Sequence, residues 1–236
     1  MRSPRWVRRR QQRRPRRTRR WPARLVTGLA GLLLAFYLAC TLLLVAYRWI
    51  DPPLTTVQLQ RCLGSLLGPG SLCGRPHFVP LDQMSPHLGR AVIAAEDARF
   101  YQHHGVDWQA LQEAAEANQR RAGKLRGGST ITQQLVKNLF LTAHQRWLRK
   151  ALELPLALLA DAILPKQRIL ELYLNVIEWG PGVYGAERAA RYHYHRPSAA
   201  LSRAQAARLA AILPSPQRRK PERMDRYSEL ILRRMR

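Results

Sequence analysis

Two adjacent carboxylates, Glu96 and Asp97, follow the apolar run Ala91-Val92-Ile93-Ala94-Ala95. An acid beside such a run is partly desolvated, which raises its pKa toward the range useful for moving a proton. A second set lies in Arg126-Gly127-Gly128-Ser129-Thr130-Ile131-Thr132-Gln133-Gln134-Leu135-Val136-Lys137-Asn138. On a helix that starts after the glycines, Thr130, Gln134 and Lys137 fall on one face at i, i+4 and i+7, with Asn138 beside Gln134. Polar donors in a row above a glycine loop suit a sugar and its phosphates. The third set is Arg149-Lys150-Ala151-Leu152-Glu153, two cations one helical turn before a carboxylate. Cation before anion is the weaker order for helix support, and two cations match a diphosphate. Each set also has an ordinary structural reading: a solvated helix end, a polar helix face and an intrahelical ion pair.

The elements that must carry these residues are mostly helical. Ser85-Pro86 is an N-cap followed by proline at the first helical position, opening a helix that runs to about Gln102. Asp107 caps a second helix, closed by Gly123, and residues 124–128 form a mobile loop. Thr130 and Gln133 have capping-box spacing and open a third helix. Helices follow at about 145–164 and 166–177. Ser202 and Gln205 form another capping box, opening a helix that Pro214 stops. A strand is expected only near Val57–Leu59, and no repeat is present. Pro155, two residues after Glu153, is expected to kink or break its helix.

Charge and hydropathy divide the chain further. Residues 1–24 hold twelve arginines and no acid, about half of the net charge of +25. Residues 25–47 carry no charge and would span about 34 Å as a helix, enough for a bilayer core of about 30 Å. The stretch is too long for a signal peptide and has no cleavage pattern. We therefore read a cytoplasmic Arg-rich tail (1–24), a transmembrane helix (25–47), a stalk (48–79) and a globular domain (80–236). The positive-inside rule puts the domain outside the cytoplasmic membrane. The basic tail suits an anionic membrane face, and no zinc-finger, stacking or basic-zipper pattern supports nucleic acid. Cys62 and Cys73 bracket a turn-rich stretch on the oxidising side, where a disulfide and two thiols are both open readings.

In order and content the motifs resemble one family. Glu96-Asp97-Ala98-Arg99-Phe100-Tyr101-Gln102-His103-His104-Gly105 is similar to its opening signature, E-D-x-x-F-x-x-H-x-G. Gly128-Ser129-Thr130-Ile131-Thr132-Gln133-Gln134 is similar to the second, and Arg149-Lys150-x-x-Glu153 to the third. Lys166-Gln167-Arg168-Ile169-Leu170-Glu171-Leu172-Tyr173-Leu174-Asn175 is similar to the fourth. The chain thus resembles the peptidoglycan glycosyltransferases (glycosyltransferase family 51), especially the monofunctional biosynthetic type, over roughly residues 80–215.

The resemblance implies a mainly α, lysozyme-like catalytic domain behind an N-terminal transmembrane helix. It implies a substrate, lipid II, in which undecaprenyl pyrophosphate carries GlcNAc–MurNAc-pentapeptide, and a growing glycan strand as partner. Glu96 then becomes the general base for the acceptor's GlcNAc 4-hydroxyl, which attacks C1 of the donor MurNAc with inversion. Glu153 becomes the second essential carboxylate. Lys137, Arg149 and Lys150 would neutralise the pyrophosphate, and Ser129, Gln133, Gln134 and Asn138 would hold sugar and phosphate oxygens. Asp97 and Phe100 would order the first motif at the substrate site. No cofactor is required and no metal ligand set is present, although a divalent cation such as Mg2+ is compatible with a diphosphate. Cell-wall synthesis or division proteins are candidate partners. An arginine common before the third motif falls on Gln145, with Arg146 adjacent. No S-x-x-K with K-T-G appears, so a transpeptidase half is not expected. A glycan-cleaving relative would not need the diphosphate-binding residues, and a non-enzymatic membrane scaffold would not need Glu96.

Overall fold

Side chains that reach back to satisfy orphan N–H groups start four of the ten described helices. The computed structural model describes residues 21–65, 77–120, 127–142 and 147–235. Residues 1–20 of the tail, Cys73, Gly123, residues 124–126 of the expected loop, and Gln145 with Arg146 lie outside them. The ten α-helices of the described residues are α1 (Trp21–Ala46), α2 (Thr56–Ser65), α3 (Pro86–Glu96), α4 (Trp108–Arg120), α5 (Ile131–Phe140), α6 (Trp147–Ile163), α7 (Lys166–Val176), α8 (Ala186–Tyr194), α9 (Arg203–Ile212) and α10 (Asp225–Arg234). A short antiparallel pair, β1 (Glu178–Gly180) and β2 (Val183–Tyr184), sits between α7 and α8. The mainly α expectation is met.

Two units are present, Met1–Leu38 and Ala39–Arg236. The first holds most of α1, whose apolar stretch Arg24–Ala46 is 23 residues long and able by length and composition to cross a membrane. Leu25, Leu32 and Leu34 stand exposed along it, as lipid-facing side chains do.

The second unit is a helical core. α5 packs against α2, α6 and α7, and α9 packs against α3 and α10. Leu88, Val92, Ile131, Leu135, Leu156, Leu172 and Trp179 fill the interior with no measurable exposure. Both expected capping boxes form, Thr130 with Gln133 and Ser202 with Gln205. Asp107 Oδ1 accepts from the Ala110 N–H at 2.8 Å and starts α4.

Three expectations are corrected. The strand expected near Val57–Leu59 is part of α2. Thr55 N–H donates to Gln58 Oε1 at 3.0 Å and Gln58 N–H donates to Thr55 Oγ1 at 3.2 Å, the same reciprocal cap that starts α5 and α9. Thr56 Oγ1 then donates to the carbonyls of Asn138 and Leu141, so this part of the expected stalk is fastened to the end of α5. The helix opening at Pro86 stops at Glu96, well before Gln102, because the Asp97 carboxylate turns aside to another helix. Finally, Pro155 neither breaks nor ends α6. Pro155 and Ala151 both lie on the exposed side, where water can satisfy the carbonyl that proline leaves unpaired, while Glu153, Leu156, Ala157 and Ala160 are buried opposite.

Candidate active site

The first motif is a corner that joins three helices. Asp97 caps the C-terminus of α3 and is buried. Its Oδ2 accepts from the Ile131 N–H, the first residue of α5, at 2.9 Å, where a carboxylate also meets the positive end of the helix dipole. His103 Nε2 lies 2.9 Å from Asp97 Oδ1. Phe100 is wholly buried beneath the corner, with Lys166 Nζ 4.8 Å from its ring centre. Lys166 Nζ also donates to the His103 carbonyl at 2.7 Å and to Asp161 at 2.6 Å. Gly105 takes φ +77°, and a Cβ there would stand 2.4 Å from the Ala157 carbonyl oxygen. Only glycine fits that approach. The Gly105 carbonyl in turn accepts from Thr130 Oγ1 at 2.6 Å.

This corner sets Glu96 opposite α5. Gln134 Nε2 donates to Glu96 Oε2 at 2.8 Å, and the Tyr173 hydroxyl on α7 donates to Gln134 Oε1 at 2.9 Å. Burial pushes the Glu96 carboxyl above its ordinary value. The Gln134 hydrogen bond and the charges of Lys137 and Arg219 act against that shift, and Asp97 adds to it. The apolar run before Glu96 therefore does what its composition suggested.

A cationic cluster lies beside it. Glu153 is buried on α6, with Lys150 Nζ 2.5 Å from Oε1 and Arg149 Nη1 3.4 Å from Oε2. Lys150 Nζ also donates to Ser129 Oγ at 2.9 Å, linking the second motif to the third. The Lys137 ammonium has no hydrogen bond or ion pair among the described residues. Burial first, then the neighbouring Arg149, pushes its ammonium below the ordinary lysine value, while Glu153 and Glu96 pull it up. Arg149 Nε is buried without a partner among the described residues. Three cations surround one carboxylate, which leaves the cluster net positive and able to take an anion.

Four of the expected binding residues are interior. Gln133 is fully buried and its Oε1 accepts from the Thr130 N–H at 2.9 Å. It shapes the start of α5, and its Nε2 is buried without a partner among the described residues. Asn138 is buried and donates to the Gln134 carbonyl at 2.7 Å. Asp97 and Phe100 are likewise interior groups that order the corner. Glu96, Ser129, Gln134, Lys137, Arg149, Lys150 and Glu153 are brought together. Beside Glu96 opens a cleft of about 650 Å3 lined by Gly127, Gly128, Ser129, Thr130, Tyr227 and Arg234, among others, within the usual size of ligand sites.

Sequence reasoning missed the side of this cleft built by the C-terminal segment. Tyr227 OH and Arg234 Nη1 each lie 3.5 Å from a carbonyl at the end of α3, Ala95 and Ala94 respectively. Arg219 packs over the Tyr227 ring at 6.0 Å. No spacing marked these three, which stand among many arginines. Tyr173 stood in the fourth motif without a role. Among the described residues, no three His, Cys, Asp or Glu side chains converge as a metal site. Cys62 is disulfide-bonded.

A carboxylate held above its ordinary pKa beside a net-positive cluster, in a helical domain that follows an apolar helix, is the arrangement that a membrane-anchored group-transfer enzyme needs. The family model described as Transglycosylase matches residues 73–236, and the chain belongs to that family. It is 47% identical over 204 residues to a biosynthetic peptidoglycan transglycosylase of Rhodospirillum centenum, covering 86% of each chain. It is 49% identical over 178 residues to one of Bordetella pertussis, covering 74% of each. A third, from Pseudomonas aeruginosa, is 46% identical over 184 residues, covering 78% of this chain and 79% of its own.

Proposed function

We propose that this enzyme polymerises lipid II into the glycan strands of peptidoglycan by inverting glycosyl transfer. The observation that carries the reading is the pairing of Glu96 with the cluster of Lys137, Arg149, Lys150 and Glu153. A raised carboxyl pKa brings the base closer to the working pH. Glu96 takes the proton of the acceptor's GlcNAc 4-hydroxyl as that oxygen attacks C1 of the donor MurNAc. The C1–O bond to the diphosphate breaks, and undecaprenyl pyrophosphate leaves. A diphosphate is already a good leaving group, so alignment and charge neutralisation supply the rest. Lys137, with no anion bonded to it, and Arg149 are the groups readiest to meet it. Glu153 holds Arg149 and Lys150 in place, and Ser129 and Gln134 meet sugar or phosphate oxygens. A divalent cation such as Mg2+, where used, would arrive with the diphosphate.

The apolar helix fits a lipid-borne substrate, since anchoring turns a search in solution into one in two dimensions. The Arg-rich tail supports an N-terminus in the cytoplasm and a catalytic domain on the periplasmic face of the inner membrane. Incubating the purified protein with labelled lipid II tests the reading. Polymer is expected from the wild type and none from folded Glu96→Gln; near-normal polymerisation by that variant would sink the assignment.

A further inference from the structure

We propose that Tyr173 is a positioning residue for the reaction: acting through Gln134, its hydroxyl fixes which end of the Gln134 carboxamide faces Glu96. The inference rests on Glu96 being the general base. A carboxamide can present either a donor or an acceptor to a neighbour, and its other partner decides which. Here the other partner is a phenol with one hydrogen. Tyr173 is 1% exposed. Burial, then the charges of Glu96 and Asp97, holds its hydroxyl well above the ordinary tyrosine value, so it remains a donor at every working pH. Gln134 Oε1, 2.9 Å away, is the acceptor of that buried O–H; turning the carboxamide over would leave the phenol hydrogen unpaired, which is costly in the interior, so Nε2 faces Glu96 Oε2 at 2.8 Å.

The consequence is a one-way chain of donors, Tyr173 to Gln134 to Glu96, ending on the carboxylate. Hydrogen bonds to the charged form favour it, and successive bonds polarise one another. The chain also distinguishes the two oxygens of Glu96. Oε2 is held, and Oε1 has no hydrogen bond among the described residues, so it is the one left to receive the proton. The other charged or titratable groups facing Glu96 are Asp97 at the end of its own helix, Lys137 on α5, Arg219, and Tyr227 on α10. None of these four bonds to the carboxylate in the described residues, so Gln134 alone orients it.

The test is the pH dependence of kcat/KM for lipid II polymerisation in four proteins: wild type, Tyr173→Phe, Gln134→Met and the double variant. Tyr173→Phe should move the acid limb up by roughly half a unit to one unit, the equivalent of one lost hydrogen bond. The rate at neutral pH should fall about 2- to 10-fold, with little change in apparent affinity for lipid II. Because Tyr173 acts through Gln134, removing its hydroxyl in the Gln134→Met background should add no further shift. An acid limb at the wild-type position in Tyr173→Phe, or shifts that sum in the double variant, would overturn the proposal. Phe keeps the buried ring; if it nonetheless fails to fold, Gln134→Met must show the upward limb by itself, and a wild-type limb there overturns the proposal equally. Glu96→Gln, run alongside, separates the two ideas. Its retained activity would remove the general-base reading, whereas its inactivity with an unshifted Tyr173→Phe would remove only the positioning role.

Discussion

Asp97→Asn is a sharp test of the idea that the first motif is a corner and not a ligand-binding strip. The substitution keeps the size of the side chain and removes its charge. In the structure, the two carboxylate oxygens receive the Ile131 N–H at 2.9 Å and face His103 Nε2 at 2.9 and 3.0 Å. An amide has one oxygen to offer, so one of these partners would meet an N–H2 group instead. A hydrogen bond to a charged group is worth about 1.5–3 kcal/mol, and Asp97 is 6% exposed, so water will not readily replace it. For a domain of this size the loss corresponds to a fall of about 3–12 °C in Tm. Activity should fall further than stability. Ile131 opens the helix that carries Gln134 and Lys137, and a displacement of about 1 Å near the chemistry can cost on the order of a hundredfold. The assay pairs a thermal melt in detergent with lipid II polymerisation measured well below the melting temperature, where both proteins are folded. A variant that melts with the wild type and polymerises within twofold of it would refute the reasoning.

Two further outcomes follow from the charges. Lys137→Ala should weaken binding of undecaprenyl pyrophosphate about 10- to 100-fold, the worth of a charge-assisted contact, without lowering Tm, because it removes a partly buried cation that repels Arg149. Equal product inhibition in both proteins would count against a diphosphate role. Glu96→Gln should raise Tm at neutral pH. The folded pKa of Glu96 lies above the unfolded value, so the native state holds its proton longer and stability falls as pH rises from the ordinary carboxyl range through the folded pKa. The gain from Gln should vanish in acid below that range; a Tm difference that does not change with pH would contradict the linkage.

Local chemistry was readable from the residues, and distant packing was not. Thr130, Ser202, Asp107 and Pro86 start helices because the deciding contacts lie within a few positions. Thr55-x-x-Gln58 has the same spacing and equally local contacts, although the sequence reads as a strand near Val57–Leu59. The early end of α3 was hidden because Asp97 spends its carboxylate on a residue 34 positions away. Gln133 and Asn138 look like ligand groups by type, yet the rotation of α5 turns both inward. Pro155 was misleading for the opposite reason, since a proline on a wet helix face leaves little unsatisfied. The parts played by Tyr173, Tyr227 and Arg234 depend on partners in other helices, which no periodicity reveals.

The clasp of α10 on the end of α3 also bears on when this enzyme can begin to work. Tyr227 and Ala95 are 132 positions apart, and Arg234 and Ala94 are 140 apart. A ribosome adds roughly 5–20 residues per second, so α3 waits many seconds after its own synthesis for the helix that closes beside Glu96. If the domain crosses a membrane behind its apolar helix, the C-terminal wall of the cleft is completed only when residues 227–234 emerge. In that case α3 would lie outside with the cleft beside Glu96 still open on its C-terminal side, and the order of delivery would itself delay the first turnover.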